Sequence, residues 1–330
     1  MLRAVSVVTL AISVAALLAS ASPSNGLPLR LSTYMAATRS QVGDPPPEVS
    51  GTYITFDVPG GSFLTPNGIN PRGEIVGGYY DTTWENFVLS DGVVHNTNPP
   101  VVITPCCNAG FYLVTISGIN PEGDTVGSYN DINGAAAGFL LSHDGTYTTI
   151  AVPGAGCGVG TLPAGINSRG EVTGFYIDDA TCGTHGFLLR KGIYTTIDVP
   201  ESLGAMSGAT WASAIDPQGN IVGSYNDSNF NVHSFRLNKK GEFTALPDVP
   251  APGFQTWALG MNPKGDIVGA SCCGPVGGWL MSRDGTVSTV AVPDSCGSMC
   301  TTPYGITPEG DIVGGYSNNS GSHGFVLKRH

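Results

Sequence analysis

The chain has 330 residues, with 25 Asp and Glu against 14 Lys and Arg, a formal net charge of −11. That balance offers no basic cluster for nucleic acid or an anionic membrane, and a mean hydropathy of +0.09 argues against disorder. Only 12% of residues are charged while 47 are glycine, a composition that fits a tightly turned β protein.

Residues 1–21 read as an export signal: Arg3 begins it, residues 4–18 form an apolar core, and Ala19-Ser20-Ala21 supplies a cleavage site. The apolar run is too short to cross a hydrocarbon layer of ~30 Å as a helix. No Cys follows the cleavage site, so no lipid anchor is expected there. Removing the signal takes away one basic residue, leaving 13 − 25 = −12. Residues 22–50 close on Pro45-Pro46-Pro47 and read as a flexible linker. The folded unit is then 51–330, secreted or periplasmic and monomeric.

From there one unit recurs. The Ile or Met of its G-I-N-P-x-G element falls at Ile69, Ile119, Ile166, Ile215, Met261 and Ile306, in steps of 50, 47, 49, 46 and 45 residues. Each copy carries four short segments. The first is G-I-N, which leads into a Pro/Gly turn. Then come x-I-V-G-x-Y, a H-G-F-L-L-like run and Y-T-T-I-D-V-P. Runs rich in Val, Ile, Thr, Tyr and Phe between Gly, Pro, Asn and Asp are strands. Four strands at this period match one blade of a β-propeller, so the prediction is an all-β, six-bladed β-propeller of four-stranded blades.

The ends test that reading. The sixth copy stops at H-G-F-V-L, 323–327, without its last strand, whereas a lone Y-I-T-F-D-V-P, 53–59, precedes the first copy. Pairing of strand 52–58 with 323–328 would close the ring and remove its open edges.

The six copies can be compared by register. The second strand carries Gly77, Gly127, Gly174, Gly223, Gly269 and Gly314, expected where neighbouring blades approach closely. The third strand carries Phe87, Phe139, Phe187, Phe235, Trp279 and Phe325, expected in the core between blades. Two polar columns flank the loop between these strands. One holds Asp81, Asp131, Asp178, Asp227, Cys273 and Asn318, and the other Glu85, Ala137, His185, His233, Gly277 and His323. They read first as local Asx-type fastenings. The alternative is acid/base pairs or calcium, one ion per blade, since such loops stand too far apart to share one ion. No cofactor is otherwise implied.

Eight cysteines, Cys106, Cys107, Cys157, Cys182, Cys272, Cys273, Cys296 and Cys300, fall in loops that emerge on one face of the disc. In an exported chain an even number suggests disulfides. Cys157 with Cys182 is the preferred pair. Cys296 pairs with Cys300 or reaches Cys272 or Cys273, and zinc held by these four is the rival reading. The same face collects the least repetitive loops and the aromatics Trp84, Phe111, Tyr112, Phe230, Phe254 and Tyr304. A site would lie there, because function in repeat proteins sits on variable loops held by a regular scaffold.

No G-x-S-x-G, H-E-x-x-H, G-x-x-x-x-G-K or dinucleotide fingerprint occurs. The units G-I-N-P-x-G-x-I-V-G-x-Y and H-G-F-L-L-x-x-G-x-Y-T-T-I-D-V-P resemble the bacterial "probable extracellular repeat, HAF family" over about 51–330. His185-Gly186-Phe187, His233-Ser234-Phe235 and His323-Gly324-Phe325 stand where its His-Ala-Phe element would be, while three copies lack the His. The resemblance implies a bacterial exported protein and carries no activity. The functional expectation is an extracellular binding module for a polysaccharide or protein partner. A glycan hydrolase or lyase on the same face and a structural surface protein are the alternatives.

Overall fold

A computed structural model of the chain describes residues 30–35, 46–97, 114–130, 136–249, 255–272, 276–297 and 300–329. The expected signal segment, 1–21, lies outside them. Strands β1 (Arg30–Met35) and β2 (Thr52–Asp57) precede the repeats. One antiparallel sheet holds β3 (Ser62–Ile69), β4 (Ile75–Tyr80), β5 (Trp84–Ser90) and β6 (Val93–Asn96). The next holds β7 (Val114–Ile119), β8 (Thr125–Asn130), β9 (Ala136–Leu141) and β10 (Tyr147–Ile150). An eight-stranded sheet follows, from β11 (Thr161–Ile166), β12 (Val172–Ile177), β13 (Thr184–Arg190) and β14 (Ile193–Ile197) to β15 (Ala205–Ile215), β16 (Ile221–Asp227), β17 (Val232–Leu237) and β18 (Phe243–Ala245). Then come β19 (Gln255–Met261), β20 (Ile267–Cys272), β21 (Gly278–Met281) and β22 (Val287–Val290). The last sheet joins β23 (Thr301–Ile306), β24 (Ile312–Asn318) and β25 (Gly321–Lys328) to β2 and β1.

These sheets pack in succession around an axis, and the last packs on the first through β23, β24 and β25 against β3. The chain is an all-β β-propeller. The repeat count predicts six separate sheets, but the described strands form five, because one parallel residue pair, Thr184 with Ala209, fuses β11–β14 to β15–β18. Gly183 and Gly208 permit that contact. A Cβ on Gly208 would come within 3.0 Å of the Gly183 Cα, so only glycine lets these backbones meet.

The two ends of the repeat region pair as their sequences require. β2 runs antiparallel to β25 from Thr52↔Lys328 to Phe56↔Gly324. Phe56, 2% exposed, lies over Gly324, where any Cβ would meet its ring at 2.4 Å. The expected linker 22–50 is partly built in. β1 adds to the outer edge of β2, whose free N–H and C=O groups accept a further strand. Val49 is buried, and its N–H donates to Thr289 O at 2.9 Å on the neighbouring sheet.

The core lies between successive sheets. Phe56, Val313 and Val326 of the last sheet share one cluster with Leu64, Ile75, Tyr79 and Phe87 of the first. The aromatic column is fully buried: Phe87, Phe139, Phe187, Phe235, Trp279 and Phe325 are each 0% exposed. The motif residues also acquire tasks. In the G-I-N-P turn, Asn70 Oδ1 accepts from the Arg72 and Glu74 N–H groups, and its Nδ2 donates to Asn120 O of the next repeat. After Y-T-T-I-D-V-P, the Val152, Val199, Val249 and Val292 N–H groups donate to the buried hydroxyls of Thr161, Thr210, Thr256 and Thr301. Successive repeats are thereby fastened to one another, at both ends of the sheet where Asn167 and Asn262 also donate to Asp216 O and Thr307 O.

Removing residues 1–58 strips β2 from β25 and exposes a full strand edge. The truncated chain is expected to melt well below the full chain and to self-associate. Phe56→Ala alone should cost about 3–5 kcal/mol. Thermal melts with light scattering check this, and a monodisperse truncation of unchanged Tm would refute it.

Candidate functional site

The innermost strands carry one recurrent irregularity. Each of β3, β7, β11, β15, β19 and β23 shifts register two residues before or at its G-I-N glycine, as between Pro66 and Gly68 or between Ala258 and Gly260. A bulge of this kind bends the strand and re-aims its side chains. It also explains the second-strand glycines. A Cβ on Gly77, Gly127, Gly174, Gly223, Gly269 or Gly314 would lie 2.0–2.2 Å from the carbonyl of Thr65, Thr115, Leu162, Trp211, Trp257 or Thr302. The close approach is therefore within a repeat, where the bulged inner strand folds over its own neighbour, and not between adjacent sheets as the sequence suggests.

Five of those six residues, all but Thr302, line a central cavity of about 470 Å³. They share its wall with Asn67, Ser117, Ala164, Ser213, Leu259 and Tyr304, the residues just before the G-I-N glycines or, in one repeat, the Ala in its place. Trp84 and the 158–159 loop segment also line it, the latter beside Cys157. The volume lies in the ~300–1,000 Å³ range of small-molecule sites. Two properties of the wall stand out. Three of the four tryptophans of the chain, Trp84, Trp211 and Trp257, line it. None of its described lining residues carries a charge. Thr65, Asn67, Thr115 and Ser117 make a polar arc on β3 and β7, facing an apolar arc of Leu162, Trp211, Trp257, Leu259 and Tyr304. Tyr304 is its sole titratable described group, and desolvation raises the phenol pKa. The phenol is thus held neutral.

The Asp and His columns do something else. His185 Nδ1 lies 2.7 Å from Asp198 and its Nε2 3.3 Å from Asp178. His233 spans Asp248 at 2.8 Å and Asp227 at 3.4 Å. His323 spans Asp57 at 2.5 Å and Asn318 at 2.9 Å. Each ring packs against the Tyr of x-I-V-G-x-Y: Tyr176, Tyr225 and Tyr316, with centroids 5.4, 5.5 and 5.0 Å apart. The histidine is a clasp between the second-to-third-strand hairpin and the Asp of the D-V-P element. Sequence reasoning passed over that Asp because it lies 13 or 15 residues away in the same repeat, or 266 away across the chain ends. The loop acids are Asx turns. Asp81 Oδ1 accepts from the Thr83 N–H at 3.0 Å, and Asp227 Oδ1 from the Asn229 and Asn231 N–H groups at 2.8 and 2.9 Å.

Asp81, Asp178, Asp227, His185, His233 and His323 therefore stand in the hairpins and do not line the cavity. Carboxylates on opposite ring nitrogens do not converge on one point. Among the described residues, no group of three or more His, Cys, Asp or Glu could hold a metal ion. Of the aromatics, Trp84 and Tyr304 line the cavity. Phe230 is 57% exposed on its own turn and takes no part in the wall. Phe111, Tyr112, Phe254 and Asp131 lie outside the described residues. Cys157–Cys182 and Cys296–Cys300 are disulfides, with Cα atoms 5.6 and 5.7 Å apart. The first ties the loop at the cavity mouth to the neighbouring hairpin, a closure worth about 3 kcal/mol. Cys272 ends β20 toward the same face. Cys106, Cys107 and Cys273 lie outside the described residues, and the Cys296–Cys300 disulfide takes two of the four thiolates that the zinc reading needs.

The cavity positions not legible in the sequence are the bulge column before the G-I-N glycine and the column two residues before it. A signal for them existed, since the two columns vary from Thr and Asn to Trp and Leu beside a G-I-N element that hardly changes.

No family model matches the chain, and no curated protein matches it. Solved structures similar to it include one described, provisionally, as a gluconolactonase, at 14% identity and TM-score 0.44 over 93% of this chain and 96% of that one. The β-propeller domain of the trilobed protease from Pyrococcus furiosus aligns at 8% identity and TM-score 0.41, over 92% and 97%. The fucose-specific lectin from Aleuria aurantia aligns at 12% identity and TM-score 0.41, over 93% and 97%.

The clasps are expected to make stability depend on pH. Desolvation opposes the charge on Asp227, but hydrogen bonds from Asn231 and Asn229 outweigh it and hold the carboxyl near 2, against an ordinary 3.8. Burial likewise lowers His233, yet Asp248 and then Asp227 raise it above 6.5 overall. The Asp227 contribution is complete above pH 3.8 and is lost as pH falls toward 2. The His233 contribution is complete below pH 6.5 and is lost as pH rises through the raised value. His233→Gln should therefore lower Tm most between about pH 4 and 6.5 and progressively less above that. Melts across pH 3–9 test this, and a deficit that grows with alkalinity would contradict it.

Proposed function

We propose that this protein is an exported propeller that binds a neutral, hydroxyl-rich ligand, a glycan chain, in its central cavity. The two halves of the fused sheet are counted separately in this reading, which gives six blades. The observation that carries it is the wall itself, in which three tryptophans and a tyrosine stand among uncharged hydroxyl and amide groups. A sugar ring presents an apolar C–H face and a rim of hydroxyls. Rigid aromatics bury the first at low entropic cost, and Thr, Ser and Asn match the second. A wall without charge suits an uncharged ligand, because ionic ligands would be desolvated with no partner.

An oxidising compartment is supported by the two disulfides. No helix among the described residues is long and apolar enough to cross a membrane. Secretion through residues 1–21 and kinship with the extracellular HAF repeats belong to the same proposal. Hydrolysis or elimination on a glycan needs a general acid and a base, and the described wall contains neither carboxylate nor imidazole.

A panel of soluble polysaccharides and oligosaccharides tests the reading, with thermal shift, calorimetry and assays for reducing or unsaturated ends run together. Binding without product is the expected result, and Trp211→Ala and Trp257→Ala should each weaken it by about tenfold or more. Release of new ends would replace the binding module with an enzyme. Silence across the panel would leave a protein partner or a structural role.

A further inference from the structure

Two polar side chains in the cavity wall have no task in the fold. Ser224 and Asn226 sit two residues apart on β16, on the same side of the strand, and both line the cavity. They are 2% and 5% exposed, yet Ser224 Oγ and Asn226 Oδ1 are buried without a hydrogen-bond partner. Buried polar groups are nearly always paired, because an orphaned one forfeits its hydration. Other buried polar side chains in the same region obey that rule. Asn86 donates to Val114 O at 3.1 Å and accepts from the Ile116 N–H at 3.0 Å. Ser234, paired with Ser224 across the ladder, donates to Thr256 O at 2.9 Å.

The repeat does not require these residues. Gly78, Phe175, Ala270 and Gly315 occupy the Ser224 position in four of the other five copies, and Tyr80, Ile177, Cys272 and Ser317 occupy that of Asn226 in the same four. Ser128 and Asn130 repeat the pair in the remaining copy, where Ser128 also lines the cavity. The pair is thus shared by two copies and is not demanded by the repeat.

We infer that Ser224 and Asn226 are the specificity-determining pair of the cavity, accepting hydrogen bonds from hydroxyls of an unsubstituted neutral glycan. The inference rests on the reading of the cavity as a glycan site and adds what that site selects. An amide Oδ1 can only accept, so the ligand must bring a donor to it. Uronate and sulfate oxygens are acceptors alone and would face Asn226 Oδ1 without compensation. No cation in the described wall relieves that repulsion, and the chain's charge of −11 repels anions at longer range. An ammonium would be buried with no counter-charge. Hydroxyls both donate and accept, so they satisfy Oδ1 and Oγ together while the ring lies against Trp257. A site built around a ligand hydroxyl rejects the analogue that lacks it far more strongly than an apolar pocket rejects a methylene.

The test uses the full chain as wild type, Ser224→Ala, Asn226→Leu and Trp257→Ala. Calorimetry probes each with neutral hexasaccharides of β-1,4-glucan, β-1,3-glucan, β-1,4-mannan and β-1,4-xylan, their fully O-methylated forms, and oligogalacturonate. Melts of the unliganded proteins run alongside. The inference expects wild type to bind a neutral probe and neither its methylated form nor the uronate. Ser224→Ala and Asn226→Leu should each lose about tenfold to a hundredfold in affinity, while their unliganded Tm holds or rises because an orphaned acceptor has gone. Unchanged affinity in both variants beside a weakened Trp257→Ala would overturn the inference and leave the glycan reading standing. A clear fall in their unliganded Tm would assign the pair to the scaffold and overturn it too. Binding of the uronate alone, or of no probe, would remove the reading and the inference together.

Discussion

The pairing of β2 with β25 joins residues about 270 positions apart in sequence, and the ring depends on it. Without that ladder the last sheet would end on an unpaired strand, and the contact between the last and first sheets would have only one partner held in place. The ladder is reinforced where it matters most. Phe56 fills the space over Gly324, Tyr53 is fully buried with its hydroxyl accepting from the Ala291 N–H at 3.1 Å, and Asp57 clasps His323. Backbone pairing, core packing and a polar latch all act on the same short strand. The closure cost is mostly loop entropy, which grows only slowly with chain length, so a local strand with three independent anchors suffices to hold it.

Closure fixes the geometry within which the inner strands can vary. Each inner strand is bulged over a glycine of its neighbour, and the glycine is compulsory because a carbonyl oxygen occupies the place of its Cβ. The bulge residue and the residue two before it then line the cavity, where their identity varies from copy to copy. The scaffold is regular because packing between sheets demands it, and the wall is less tightly held. Thr, Asn and Ser on one side and Trp, Leu and Tyr on the other give the cavity a polar arc and an apolar arc without altering the repeat.

Charge is distributed by the same logic. Acidic and basic side chains are concentrated in turns and hairpins, where Asx geometry, histidine clasps and pairs such as Arg190 with Glu171 at 2.7 Å keep them partnered and hydrated. The described cavity wall has none. A net acidic protein with an uncharged interior site is suited to ligands that are polar without being ionic. The clasp histidines, the most chemically suggestive residues of the repeat, hold the rim on which the site is mounted.

Strand content, the period, the two half-sets at the chain ends and the Cys157–Cys182 pair were all legible in the chain. Each rests on local alternation, turn chemistry or spacing between copies, which sequence records directly. The aromatic column was legible for the same reason, since a ring in every copy has one simple use. What stayed hidden depends on which faces meet. The fusion of two sheets through Gly183 and Gly208, the clasp formed by Asp57, Asp198 and Asp248, and the build-up of residues 30–35 and 46–49 on neighbouring edges all join segments that periodicity does not relate. The site was hidden most thoroughly. Its residues belong to several different strands of different repeats, the bulged inner strands and their neighbours, and only the closed ring brings them together. Sequence determined the repeat and its closure; the tertiary structure alone decided that Trp211, Trp257, Ser224 and Asn226 share one wall.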